Sequence, residues 1–242
     1  MSDDTLGMMP RREVFNGVPV PYGAPTEELI RQANGNVPMC WAALVALAHD
    51  PSPRASEAIR EATRSHDPYL RRAAIEAVAS RPSSPDSVSS IVEALADRDG
   101  RVVRTACHAA ATLGAREARD RVVALMKSSD ASTREAALRA LRALWDPDDF
   151  GAVFEVFRTD RSPRVKKEAA WTLRQHVADD TWQTLLDVWR RDPLHRHRLW
   201  ACEIGAEFGG SRVVEALLLL RNDQDGSVRR AATKALSSFG AQ

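Results

Sequence analysis

A nine-residue phrase returns along this chain about every 31 residues, and no other feature restricts the fold as tightly. It reads Leu70-Arg71-Arg72-Ala73-Ala74-Ile75-Glu76-Ala77-Val78, then Thr133-Arg134-Glu135-Ala136-Ala137-Leu138-Arg139-Ala140-Leu141. It returns as Val165-Lys166-Lys167-Glu168-Ala169-Ala170-Trp171-Thr172-Leu173 and Val228-Arg229-Arg230-Ala231-Ala232-Thr233-Lys234-Ala235-Leu236. Looser copies begin at Val103 and His195, and a degenerate one at Met39. Leu70, Ala74, Ala77 and Val78 lie three and four apart, which is one face of a helix. Self-similarity at this period predicts an all-α solenoid of about seven antiparallel helix pairs. In such an array each unit buries its apolar face only against its neighbours.

Proline and aspartate punctuate the pattern. Pro51, Pro53, Pro82, Pro85, Pro147 and Pro193 mark the seams between helices. The predicted pairs cover about 26–49, 54–81, 85–114, 116–145, 147–177, 179–209 and 211–240. Thr26 is the expected cap of the first helix. Asp67, Asp99, Asp130, Asp160, Asp192 and Asp225 stand at or just before second helices, where a carboxylate can satisfy orphan N–H groups. Gly114, Gly205 and Gly240 fall where left-handed helix caps are useful. Residues 1–25 differ: Pro10, Pro19, Pro21 and Pro25 alternate with Gly7, Gly17 and Gly23, which forbids a regular helix. Val14, Phe15, Val18, Val20 and Tyr22 make this segment an extended arm expected to cover the apolar side of the first repeat. The expected domains are thus the arm, 1–25, and the solenoid, 26–242.

The Asp-x-x-Val-Arg-x-x-Ala-Ala-x-Ala-Leu pattern, cleanest at Asp225-Gly226-Ser227-Val228-Arg229, resembles the HEAT repeat in its short bacterial, bilin-lyase-type form. The resemblance spans about residues 26–240 and implies fold far more than function. Repeats of this kind occur in bilin lyases, scaffolds, immunity proteins, a hydroxylase and DNA glycosylases. The deoxyhypusine hydroxylases of this type use His-Glu dipeptides as iron ligands, and this chain has no His-Glu.

Net charge is only +1, so global charge does not point to nucleic acid. Cations still recur at one place in the repeat: Arg71, Arg104, Arg134, Lys166, Arg196 and Arg229. A ladder of this kind serves a polyanion or ties repeats together. The aspartates that recur with it favour the structural role, as in the resembling repeats. The next residue and those four and seven beyond it are left to line the inner face. They include Arg72 and Glu76; Glu135, Arg139 and Arg142; Lys167, Trp171 and Arg174; His197 and Ala201; Arg230 and Lys234. Residues 121–242 carry 20 Lys and Arg against 17 Asp and Glu, so the basic character of this stripe comes from placement and not from total charge. Trp145, Phe150, Phe154, Phe157, Trp182, Trp189, Trp200 and Phe208 fall at core spacing, whereas Trp171 lies between two cations on the inner face. Arg139, Arg142, Lys167, Trp171, Arg174, His197, Arg230 and Lys234 are the expected partner-binding residues, with an acidic protein segment as the ligand.

No catalytic set, metal site or cofactor site is expected. His195 and His197 project about 200° apart on a helix and cannot share one metal. His49-Asp50 and His66-Asp67 sit at turns beside Pro51 and Pro68. Cys40, Cys107 and Cys202 are far apart and fall on apolar helix sides, as core residues of a reducing compartment do. No apolar run reaches the roughly 18 residues of a membrane span, and Met1-Ser2-Asp3-Asp4 lacks an apolar signal core. The expectation is a cytoplasmic monomer that binds protein, without catalysis and without membrane or nucleic acid. The enzymatic alternative is a HEAT-like alkylpurine DNA glycosylase, which Trp171-Thr172-Leu173-Arg174 resembles. Against it, Glu135 stands where that family has an Arg, and Leu95 stands where it has a Trp, near Asp97 and Asp99. A third reading, an accessory of a tetrapyrrole lyase, rests on the repeat type alone.

Overall fold

Proline opens many of the helices because its missing N–H is one the first turn leaves unbonded anyway. Pro53, Pro68, Pro85 and Pro163 all occupy that first position. The computed structural model describes residues 14–15, 17–35, 38–176 and 186–240, apart from the side chains of residues 15, 204, 207 and 208. The chain divides into two compact units, Met1–Trp145 and Asp146–Gln242.

In the first unit, β1 (Val14–Phe15) and β2 (Val18–Pro19) form a short antiparallel hairpin, with Val14 opposite Pro19. Gly17 turns it at φ 81°, a conformation that other residues adopt at a cost. The helices are α1 (Thr26–Ala33), α2 (Met39–Ala48), α3 (Pro53–Ala62), α4 (Pro68–Ala79), α5 (Pro85–Ala94), α6 (Gly100–Leu113), α7 (Arg119–Leu125) and α8 (Ala131–Leu144). The hairpin lies against α2, Val20 is buried, and Tyr22 meets His49 edge-on at 5.4 Å. Residues 1–13 of the expected arm lie outside the described residues.

The second unit holds α9 (Phe150–Thr159), α10 (Pro163–His176), a helical segment at 186–190, α11 (His195–Phe208), α12 (Ser211–Leu220) and α13 (Gly226–Ser238). Its core is a column of rings: Phe154 and Phe157 at 6.1 Å, Phe157 and Trp189 at 5.2 Å, Trp189 and Trp200 at 5.9 Å. Trp182 and the Phe208 side chain lie outside the described residues.

The paired alanines set the helix spacing. Ala74, Ala137, Ala170 and Ala232 have no solvent exposure, which lets neighbouring helices approach closely. Cys40, Cys107 and Cys202 are free and buried, and burial pushes the Cys107 and Cys202 thiols up to about 12. Among the described residues no helix is long and apolar enough to cross a membrane.

Two expected caps differ. Pro25, not Thr26, is the cap of α1, and the Thr26 hydroxyl donates instead to Asp50 at 2.6 Å. Gly205 lies inside α11, where a Cβ would come 3.1 Å from Val213 Cγ1; it permits close contact with α12. The end of α11 falls to Gly209, at φ 65°.

Candidate interaction face

The turns into the second helices have two polar positions with different tasks, and aspartate recurs at both. Asp67, Asp99, Asp130 and Asp225 are N-caps and accept from backbone N–H groups of the first turn. Two residues earlier stands a side chain that accepts the N–H of the cap residue itself. Asp97 does this for Asp99 at 2.8 Å, Asp192 for Leu194 at 2.9 Å and Asp223 for Asp225 at 2.8 Å. In the α4 and α8 turns a serine takes this place: Ser65 and Ser128 accept from Asp67 and Asp130. Asp160 and Asp192 belong to the earlier position, not to the caps.

The ladder cation sits four residues after the cap, and Arg71, Lys166 and Arg198 each reach an aspartate of the next repeat. Arg71 donates from Nη1 to the carbonyls of Ser65 and His66, at 2.9 and 3.0 Å. Its Nε and Nη2 grip both oxygens of Asp97 in the next repeat at 2.7 Å each. Arg198 repeats this geometry. Its Nη1 donates to Asp192 and Pro193 carbonyls, and its fork grips Asp223 at 2.7 and 2.9 Å. Arg134 and Arg229 make the same pair of bonds to their own turns. Lys166 Nζ lies 3.7 Å from Asp192. Burial opposes the charged form of Asp97, but Arg71 and the Asp99 N–H hold its carboxyl below the usual range. Arg198 does the same for Asp223.

Two members of the expected ladder are displaced. In α11 the cation is Arg198, and Arg196 is exposed. The cap there is Leu194, so Asp192 mimics a cap in the sequence while standing two residues before it. In α6 the position belongs to buried Val103, and Arg104 lies one residue beyond, paired with the Asp130 cap at 3.0 Å.

The same shift removes His197 from the binding face. It is 2% exposed, stacks on Trp200 at 5.3 Å, and places Nδ1 2.9 Å from Asp192 Oδ2. Ala201 is fully buried. Leu199 and Glu203 take their places on the accessible face of α11, and Glu203 lies 3.6 Å from Lys167. Sequence reasoning missed these two; separating the two acids of the turn would have found them.

Within the second unit, Lys167, Trp171 and Arg174 are half-buried and follow at helical spacing on one face of α10, while Arg230 and Lys234 on α13 are exposed. Arg139 and Arg142 occupy the equivalent places of α8, in the first unit. In that unit two inner-face cations are matched to carboxylates of their own helix. Arg72 pairs with Glu76 at 3.2 Å and also lies over the Trp41 ring at 5.1 Å. Arg139 pairs with Glu135 at 2.6 Å, and Glu135 is buried instead of lining the face.

The carboxylates nearest a catalytic reading already have structural work. Asp97 is held by Arg71, Asp99 caps α6 and pairs with Arg101 at 2.8 Å, and Leu95 is buried. Among the described residues no three His, Cys, Asp or Glu side chains come together to hold a metal.

The sequence profile of HEAT repeats matches residues 26–111, 91–174 and 151–237. A comparison with curated proteins gave no match. Among solved structures, the fold is similar to the complex of CpcE and CpcF of phycocyanin lyase from Nostoc sp. PCC7120. The identity is 19%, with 89% of this chain and 88% of that chain covered at a TM-score of 0.55. Escherichia coli YibA is similar at 13% identity, 89% and 92% coverage and a TM-score of 0.59. A chain of the AP-3 complex is similar at 17% identity over 88% of this chain and 44% of that one, with a TM-score of 0.64. The profile runs through every helix pair built on the Ala-Ala phrase, and the chain belongs to the HEAT-repeat family.

Proposed function

We propose that this HEAT-repeat protein is a non-catalytic binding module, and that the second-helix face of its second unit holds an acidic segment of a partner protein. The observation that carries this reading is Trp171, half-buried between Lys167 and Arg174 on one face of α10. A tryptophan flanked by cations gives a partner desolvated contact area, and the cations steer an acidic chain toward it. Exposed Arg230 and Lys234 add positive charge in the same unit. Glu203 partly offsets the Lys167 charge. Arg139 and Arg142 have the same helix positions in the first unit, but Arg139 is engaged by Glu135, and the proposal rests on the second unit.

Two further observations support the binding reading. The acids that a glycosylase reading would need, Asp97 and Asp99, are tied into the ladder and a helix cap. The similar CpcE–CpcF structure, a phycocyanin lyase complex, and the AP-3 structure both place this kind of fold within assemblies of protein subunits. The test is affinity capture from the native host with the wild-type chain beside Trp171→Ala, using circular dichroism to verify folding. A partner with an acidic segment, retained by wild type and lost by Trp171→Ala, supports the proposal. Duplex DNA is expected to bind no tighter than about 10⁻⁶ M at physiological salt, the range of non-specific contacts. Nanomolar DNA binding, or release of an alkylated base, would overturn the reading in favour of the glycosylase.

A further inference from the structure

Arg71 and Arg198 share one construction. In each, Nη1 donates to two carbonyls of its own turn, which fixes the guanidinium, and the Nε–Nη2 edge grips both oxygens of an aspartate. The chain builds this fork again outside the ladder. Arg81 stands just past α4, and its Nη1 donates to the carbonyl of Leu47, at 2.8 Å, and to that of Asp50. Its Nη2 donates to the Ser56 hydroxyl at 2.8 Å. Among the described residues no protein group accepts from Nε, and no carboxylate pairs with Arg81. Asp50 offers it a carbonyl, while the Asp50 carboxylate accepts from the Thr26 hydroxyl and the Ser52 N–H. Burial pulls the Arg81 pKa down, and the Asp50 charge only partly restores it. A half-buried cation without an acid of its own is an unbalanced charge.

The Arg81 fork lines a cavity of about 580 Å³ bounded by α3, the end of α4 and α5. Its apolar wall is Pro53, Ile59, Val78 and Pro82. Ser56, Ser83, Ser87 and Ser90 also line it, and such short side chains leave the space between the helices unfilled. Two acids complete the lining. Glu57 is matched by Arg60 at 3.4 Å, and Asp86 lies in the first turn of α5, where the helix end favours a negative charge. Sites for small molecules span about 300–1,000 Å³ and combine apolar walls with a few placed polar groups, which describes this cavity.

We infer that this cavity binds a small organic carboxylate, whose oxygens accept from Arg81 Nε and Nη2 while its apolar body packs on Ile59, Val78 and the prolines. The ladder forks of the same construction each hold a carboxylate, and the planar edge of a guanidinium matches its two oxygens. The exposed Ser56 hydroxyl beside Nη2 supplies one more donor. Backbone carbonyls hold the guanidinium before a ligand arrives, so little freedom is lost on binding. The cavity belongs to the first unit and the Trp171 face to the second, so either proposal stands or falls without the other.

The probes are octanoate, phenylpropionate and indoleacetate, each beside its primary amide. They are titrated into the full chain and followed by NMR at the Arg81 Nε–H. At least one carboxylate is expected to saturate and to shift that signal. Its amide should bind at least about tenfold more weakly, because hydrogen bonds gain this much from a charged acceptor. Arg81→Met should remove the preference for acid over amide. Ser56→Leu, which fills the cavity and leaves both carbonyl bonds of Arg81 in place, should prevent saturation. Arg158→Ala, exposed on α9, should leave binding unchanged. If Arg81→Met lowers the thermal midpoint, Ser56→Leu decides the question. No saturation by any of the carboxylates, equal affinity for acid and amide, or unchanged binding in Ser56→Leu overturns the inference. Tighter binding of phenyl phosphate than of phenylpropionate would assign the fork to a phosphate ester and overturn the carboxylate.

Discussion

Ladder pairs differ in burial, so the same kind of substitution should cost very different amounts. Arg71 and Asp97 have side chains 7% and 11% exposed, and the guanidinium makes four hydrogen bonds, two of them to the carboxylate. Arg71→Met removes the cation and leaves the Asp97 charge in a dry seam between repeats. Breaking one side of such a pair costs about 3–5 kcal/mol. Arg104 and Asp130, exposed 35% and 48%, share a single contact. Arg104→Met should cost no more than about 1 kcal/mol. The two arginines lie in adjacent repeats, which makes each a control for the other. Asp97→Asn keeps an oxygen for the Asp99 N–H and removes the charge, so the double variant Arg71→Met, Asp97→Asn should recover much of the loss. Its coupling energy should fall in the range of about 0.5–3 kcal/mol typical of contacting residues. Urea unfolding followed by circular dichroism measures the wild type and all four variants. Equal losses at Arg71 and Arg104, or a double variant no more stable than Arg71→Met, would refute the reasoning.

Two further outcomes follow from packing and titration. Ala137 has no exposed surface, so Ala137→Leu should overpack the helix seam and cost about 1–3 kcal/mol, read as a lowered thermal midpoint. Asp97 and Asp223 titrate below the range of an unfolded chain, so their contribution is complete above about pH 5 and is lost as pH falls through their folded-state values. Melting temperature should therefore drop between about pH 5 and pH 2, and the drop should be smaller in Asp97→Asn.

The helices were legible because their signals are local. Ala-Ala at core spacing, proline at first positions and the aspartate caps each act within one turn of chain. The ladder register was less legible because its turn holds two acids that look alike in sequence. Where both are present, as at Asp223 and Asp225, the cation four residues past the cap is plain. Where Leu194 replaces the cap, Asp192 stands in for it, and the reading slips by two residues to Arg196. That slip also carried His197 from the core to the surface. Arg104 misled for another reason: it follows Val103, and an apolar ladder residue leaves no charge to find. Glu135 reads as a surface residue by spacing, but its bond to Arg139 lets it be buried. The division after Trp145 has no distinct mark, because Pro147 resembles the other seams.

The most direct test of the binding face is the association kinetics of the captured partner, measured on a surface at two salt concentrations. The variants are Trp171→Ala, Arg174→Glu and, as a first-unit control, Arg72→Glu. Arg174→Glu should slow association and weaken its salt dependence, because steering charge acts on encounter. Trp171→Ala should chiefly speed dissociation and weaken binding by more than about 1 kcal/mol, because it removes desolvated contact. Arg72→Glu should change neither rate. Wild-type rates in both second-unit variants, with folding intact, would contradict the assignment of this face and leave Lys167, Trp171 and Arg174 as solvated residues of a structural repeat.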